Sequence, residues 1–194
     1  MKKSILAILC CLMMSGIINV NAQVVTDHTN SAFDDYKERF VLSLWKTYPG
    51  WASSVGYHKY DDILVIPDEA SRNAELAFCR LQLDSLATFS VKDINNANKI
   101  DYRMIENQLK YAAWGITEQR AWEWDLSAYN VSSSFADMLG NDYAPLDERL
   151  RNFNRRMTAV PAYYKAAEKN IKDPTLEHTA LAIEQNLGGA SVFE

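Results

Sequence analysis

The chain has 194 residues, a formal charge of −5 and a hydrophobic content of 48%. An acidic balance of this kind excludes a nucleic-acid binder, because phosphates call for a basic footprint. The length suits one domain with a sizeable core, and no internal repeat or low-complexity tract divides it.

Lys2 and Lys3 precede an apolar run from Ile5 to Val20, and Val20-Asn21-Ala22 follows with a small residue at its end. The run is shorter than the roughly 20 residues of a spanning helix, so residues 1–22 read as a cleaved secretory signal. Residues 23–194 then form a single exported helical domain, periplasmic or extracellular, with no integral membrane segment. Cys10 and Cys11 lack the Leu-small-small pattern of a lipid-attachment site, which argues against lipoprotein anchoring. Their removal leaves Cys79 without a disulfide partner, in an apolar stripe with Leu76, Leu83 and Leu86 that assigns it to packing.

Helical periodicity governs the rest. Phe33, Tyr36, Phe40 and Leu44 predict a helix over Ser31–Tyr48, which Pro49-Gly50 stops. A second helix is expected from Pro67-Asp68-Glu69 to about Thr88, and a third from about Val91 to Trp114 with Ile94, Ala97, Ile105, Leu109 and Ala112 on its apolar side. From Gly115 to Tyr143 the period weakens, and a folded excursion with a short helix near Ser134–Leu139 is expected. Pro145 fits the first turn of a helix, and Pro161 kinks that helix or opens another. Asp173-Pro174 reads as a helix start and Gly188-Gly189 as its end. Ile63-Leu64-Val65-Ile66 is too short for a convincing strand, so the fold class is all-α and bundle-like.

Three histidines, His28, His58 and His178, have no ligand spacing among them, so no metal site is expected in this chain. No Gly-x-Ser-x-Gly elbow and no phosphate-binding glycine loop occurs. Asn130-Val-Ser132 matches a glycosylation sequon, discounted because the leader reads bacterial. Two clusters of aromatic and acidic residues remain. Gly50–Asp62 holds Tyr57, His58, Tyr60, Asp61 and Asp62; the second holds Trp122, Glu123, Trp124, Asp125 and Tyr129. In the first, the aspartates and histidine organise a turn through side-chain-to-backbone bonds, or contact a ligand, or supply a base. In the second, the indoles pack against helices or form a cleft wall. Tyr57, His58, Tyr60, Asp61, Trp122, Glu123, Trp124 and Tyr129 are therefore the candidate substrate-binding residues, and none is assigned as catalytic.

The succession PGWASSVGYHKYDD, IDYRMIENQL, WEWDLSAYN, YAPLDERL and VPAYY resembles the N-terminal part of the bacterial "domain of unknown function 885" proteins, over about Phe33 to Phe193. The resemblance implies an exported, helical, zinc-dependent, metallopeptidase-like protein (a hydrolase) of roughly three times this length. That family's metal signature, a His-Glu pair followed by Gly-His with a Glu-Gly-Trp segment nearby, lies in its C-terminal half, and neither string occurs here. What carries over is the front-segment pattern on Gly56, His58, Tyr60, Asp61, Trp122, Glu123 and Tyr129. The expected role is one wall of a peptide cleft, with the remaining C-terminal half as partner, zinc held there, and little or no activity in this chain alone. Alternatives are a stand-alone secreted helical module gripping a peptide, glycan or protein, and an enzyme acting through His58 and Asp61 without metal.

Overall fold

In a computed structural model of the protein, residues 27–192 are described, and the leader read at residues 1–22 lies outside them. All regular elements among the described residues are helical, as the periodicity predicts. Helix α1 (27–47) buries Phe33, Tyr36, Phe40 and Leu44 on one face. It ends because the proline ring of Pro49 pushes Tyr48 out of the helical region, to φ −122° and ψ 68°.

The chain does not stay irregular there. Pro49 opens a six-residue helix, α2 (Pro49–Ser54), whose first turn has no use for the missing N–H. Gly56 then takes φ +88°, a left-handed conformation that glycine adopts without a Cβ penalty, and a single 3₁₀ turn, His58–Tyr60, follows. The GWASSVGYHKYDD stretch is thus mostly helical rather than loop.

Helix α3 (Glu69–Leu86) starts where Asp68 accepts a hydrogen bond from the Ser71 N–H at 2.8 Å. Helix α4 (Asn96–Trp114) starts at Asn95, which accepts from the Asn98 N–H at 2.9 Å. That start lies later than Val91, because Ser90 to Asp93 closes a separate turn first. Helices α1, α3 and α4 share one core, in which Phe33, Phe40 and Leu44 meet Cys79, Leu86 and Leu109. Full burial of each such side chain contributes roughly 1.5–3 kcal/mol. The Phe89 ring stands edge-on to Phe33 at 5.1 Å, and Lys37 donates to Asn98 and Asp101 at 2.7 and 2.8 Å, tying α1 to α4.

Beyond a one-turn π-helical segment (Gly115–Gln119) and two 3₁₀ turns (Ala121–Glu123 and Leu126–Tyr129) come α5 (Ser132–Gly140), α6 (Leu146–Met157), α7 (Val160–Asn170) and α8 (Leu176–Gly189). Phe135 and Phe153 pack edge to face at 4.9 Å and join α5 to α6. The buried Arg149 guanidinium donates to the Met138 and Leu139 carbonyls at 3.2 and 2.8 Å, satisfying the C-terminal end of α5. Pro145 is the residue before α6 rather than within it, and Pro161 sits in the first turn of α7. Thr175, not Asp173, caps α8, accepting from the His178 N–H at 3.4 Å.

α8 ends at Gly189, at the glycine pair read as its stop, although Ala190 after it stays right-handed at φ −57° and ψ −35° rather than taking a left-handed cap. A Cβ built on Gly189 would lie 2.5 Å from Ser132 Oγ and 2.7 Å from its Cβ, so this glycine serves the close approach of α8 to α5. No described helix is long and apolar enough to cross a membrane.

Candidate functional site

In the Gly50–Asp62 stretch, Asp61 is the centre. Its side chain is fully buried; it accepts from Ser53 Oγ at 2.5 Å and contacts His58 Nδ1 at 3.0 Å. Against an ionised carboxylate the Nδ1 of His58 serves as the donor in this contact. The His58 ring stacks on Tyr143, centroids 3.5 Å apart and planes within 5°. Burial, and then the Asp61 carboxylate, push the Tyr143 phenol well above its ordinary pKa. The buried Arg156 guanidinium donates to the Ser134 carbonyl at 3.2 Å and to Ser53 Oγ at 3.4 Å, and burial lowers its pKa against the opposing pull of Asp61. Tyr57 and Tyr60 flank the turn with rings 6.0 Å apart, and Lys59 lies over Tyr60. His58, Asp61, Tyr143 and Arg156 line a cavity of about 350 Å³.

The Trp122 stretch is built differently. Arg120 adopts a left-handed conformation, φ 52° and ψ 39°, which turns the chain sharply after Gln119. The Trp122 indole N–H donates to the Ile116 carbonyl at 3.3 Å and the Trp124 indole N–H to the Gln119 carbonyl at 3.1 Å. The Arg72 guanidinium stacks on Trp122 at 3.9 Å, with Arg120 and Lys172 at 5.2 and 5.5 Å. Glu123 accepts from Arg120 and then from Lys172, which hold its carboxyl down at about 2. Tyr129 is buried; its hydroxyl donates to the Trp122 carbonyl at 2.6 Å and accepts from Asn170 Nδ2 at 3.1 Å. Trp124 meets His178 edge to face at 5.2 Å. Two long-range backbone bonds, Lys172 N–H to Glu123 O and Thr175 N–H to Trp124 O, fasten the segment to the connection between α7 and α8.

The two clusters therefore line separate cavities. Trp122 and Tyr129 open on a groove in which a cavity of about 750 Å³ adjoins one of about 870 Å³, with Arg72, Ile116 and Trp122 common to both. The first is walled by Val65, Phe78, Tyr129 and Tyr163 with Glu75 among them. Burial raises the Glu75 carboxyl above the ordinary carboxylate range, opposed by the hydrogen bond that Tyr48 donates to it at 2.6 Å. Tyr163 is pushed up to about 12 by burial.

Sequence reasoning missed Arg72, Glu75 and Asn170. Arg72 donates to the Pro67 carbonyl at 2.9 Å and to Asn170 Oδ1 at 3.1 Å, links that span up to 98 positions and leave no local signal. Among the described residues no three His, Cys, Asp or Glu side chains lie where they could hold a metal ion together.

A family model described as "Bacterial protein of unknown function (DUF885)" matches residues 49–194. The chain belongs to this family. A solved structure from Shewanella oneidensis, described as "a putative lipoprotein of unknown function", is 46% identical and superposes with a TM-score of 0.82 over 84% of the chain. This DUF885 chain spans 30% of the length of that protein. No curated protein matches it.

Proposed function

We propose that this DUF885 chain forms one wall of the peptide cleft in an exported metallopeptidase-like protein. The observation that carries the reading is the groove around Trp122, which joins an aromatic half to a basic half on a rigid, hydrogen-bonded frame. Export is supported by the basic-apolar leader and by the relative's description as a lipoprotein. The described residues do not fit zinc, so the ligands that the resemblance implies belong to the C-terminal part of such a protein, and no chemical step is assigned to the residues present.

That part is also the expected partner. On α8, Leu176, Ile183 and Leu187 lie on one face at helical spacing and are 80, 57 and 75% exposed, an apolar stripe of the kind that a neighbouring body covers. Ile100, Met104 and Tyr111 form a second exposed row on α4.

The test is to express the 194 residues alone and within a chain of the relative's length. Zinc content and peptidase activity are expected only in the longer form, with strong hydrophobic-dye binding by the shorter. A shorter form that is a clean, dye-silent monomer, or that cleaves peptides as well as the longer one, would support a self-sufficient binding module or a metal-free enzyme instead.

A further inference from the structure

We infer that the basic half of the groove takes the C-terminal carboxylate of a bound peptide, while its preceding apolar side chains occupy the aromatic half. The inference rests on the reading of the groove as a peptide cleft and gives that cleft a direction.

Five cations, Arg72, Arg120, Lys165, Lys169 and Lys172, line the larger cavity against the two carboxylates of Asp68 and Glu69, in a chain whose formal charge is −5. Several of these charges are already engaged. Glu123 takes Arg120 and Lys172, and Asp68 accepts from the Ser71 N–H at the start of α3.

Lys165 and Lys169 remain. They stand one turn apart on α7, where like charges at this spacing destabilise a helix, and among the described residues neither has a carboxylate partner. Arg72 is held flat against Trp122 by the Pro67 and Asn170 oxygens, so its guanidinium is oriented before any ligand arrives. An arginine fixed in this way suits a carboxylate better than a mobile lysine would. The same Arg72–Trp122 stack lies on the wall of the adjoining aromatic cavity. A carboxylate at the stack therefore sets the apolar residues before it against Phe78, Tyr129 and Tyr163.

Isothermal titration of the full 194-residue chain at low salt tests this with three probes. They are acetyl-Ala-Phe-Leu-Ala with a free C-terminus, its C-terminal amide, and the amide with aspartate in place of leucine. The free acid is expected to bind about tenfold more tightly than either amide, as two or three half-exposed charge pairs allow. Lys165→Gln/Lys169→Gln, at exposed positions that leave the circular dichroism spectrum unchanged, should remove most of that preference.

Equal affinity for all three probes overturns the inference and leaves the cleft reading standing. Binding of the aspartate amide as tight as that of the free acid overturns it in favour of an acidic side chain. Binding of none overturns the inference and shows that this wall of the cleft does not hold a peptide by itself.

Discussion

A carboxylate taken fully out of water is tolerated only where donors and a positive charge surround it. Asp61 meets that condition through Ser53, His58 and the nearby Arg156. Asp61→Ala leaves a hydroxyl and an imidazole N–H without their acceptor and Arg156 without its counter-charge, a loss of about 3 kcal/mol; the urea midpoint of unfolding reads it. The Glu75 carboxyl has a folded-state pKa above the ordinary value, chiefly through burial. Its stabilising contribution is therefore complete below the unfolded pKa and is lost as the pH rises through the folded one. Glu75→Gln keeps an acceptor for the Tyr48 hydroxyl and removes the titration. Its stability relative to the wild type should climb as the pH rises through and above the ordinary carboxylate range, as followed by denaturant unfolding.

Among the elements, those with an uninterrupted apolar period were legible in advance. Of the residues expected on the inner faces of α1, α3 and α4, Phe33 and Phe40, Cys79 and Leu86, Ile105 and Leu109 make the core, whereas Ala97, in the first turn of α4, is exposed. Period alone did not reveal α2, whose six residues are fewer than two full turns. Nor did it reveal the frame of Trp122, because Arg72 and Asn170 reach it across long stretches of chain. The glycine pair at the end of α8 stands where its stop was expected, and Gly189 also serves contact with Ser132. Two neighbouring substitutions separate these meanings. Gly189→Ala should cost about 1–3 kcal/mol, because the new methyl meets a side chain that cannot yield without moving α5. Gly188→Ala, where the space is open, should be neutral or gain a few tenths of a kcal/mol from helix propensity. Thermal unfolding of the pair shows which holds.

At the scale of the whole molecule, an acidic chain concentrates five cations on one cavity and leaves rows of apolar side chains on α4 and α8 facing outward. Composition could report the net charge but not its segregation, since the cations come from α3, α7 and the turns beside them. The family, by contrast, was readable from short motifs in order, because they mark the structurally constrained places: the Asp61 turn, the Trp122 excursion and the Arg149 clasp on α5. One further property concerns the molecule as a unit. Cys79 is wholly inside the shared core of α1, α3 and α4, is the single free thiol among the described residues, and has its thiol pushed up by burial. A thiol so placed stays out of reach of a soluble reagent until those three helices separate. Its labelling rate is accordingly a built-in clock for the opening of the core, needing no foreign probe, and it keeps time by the protein's own unfolding.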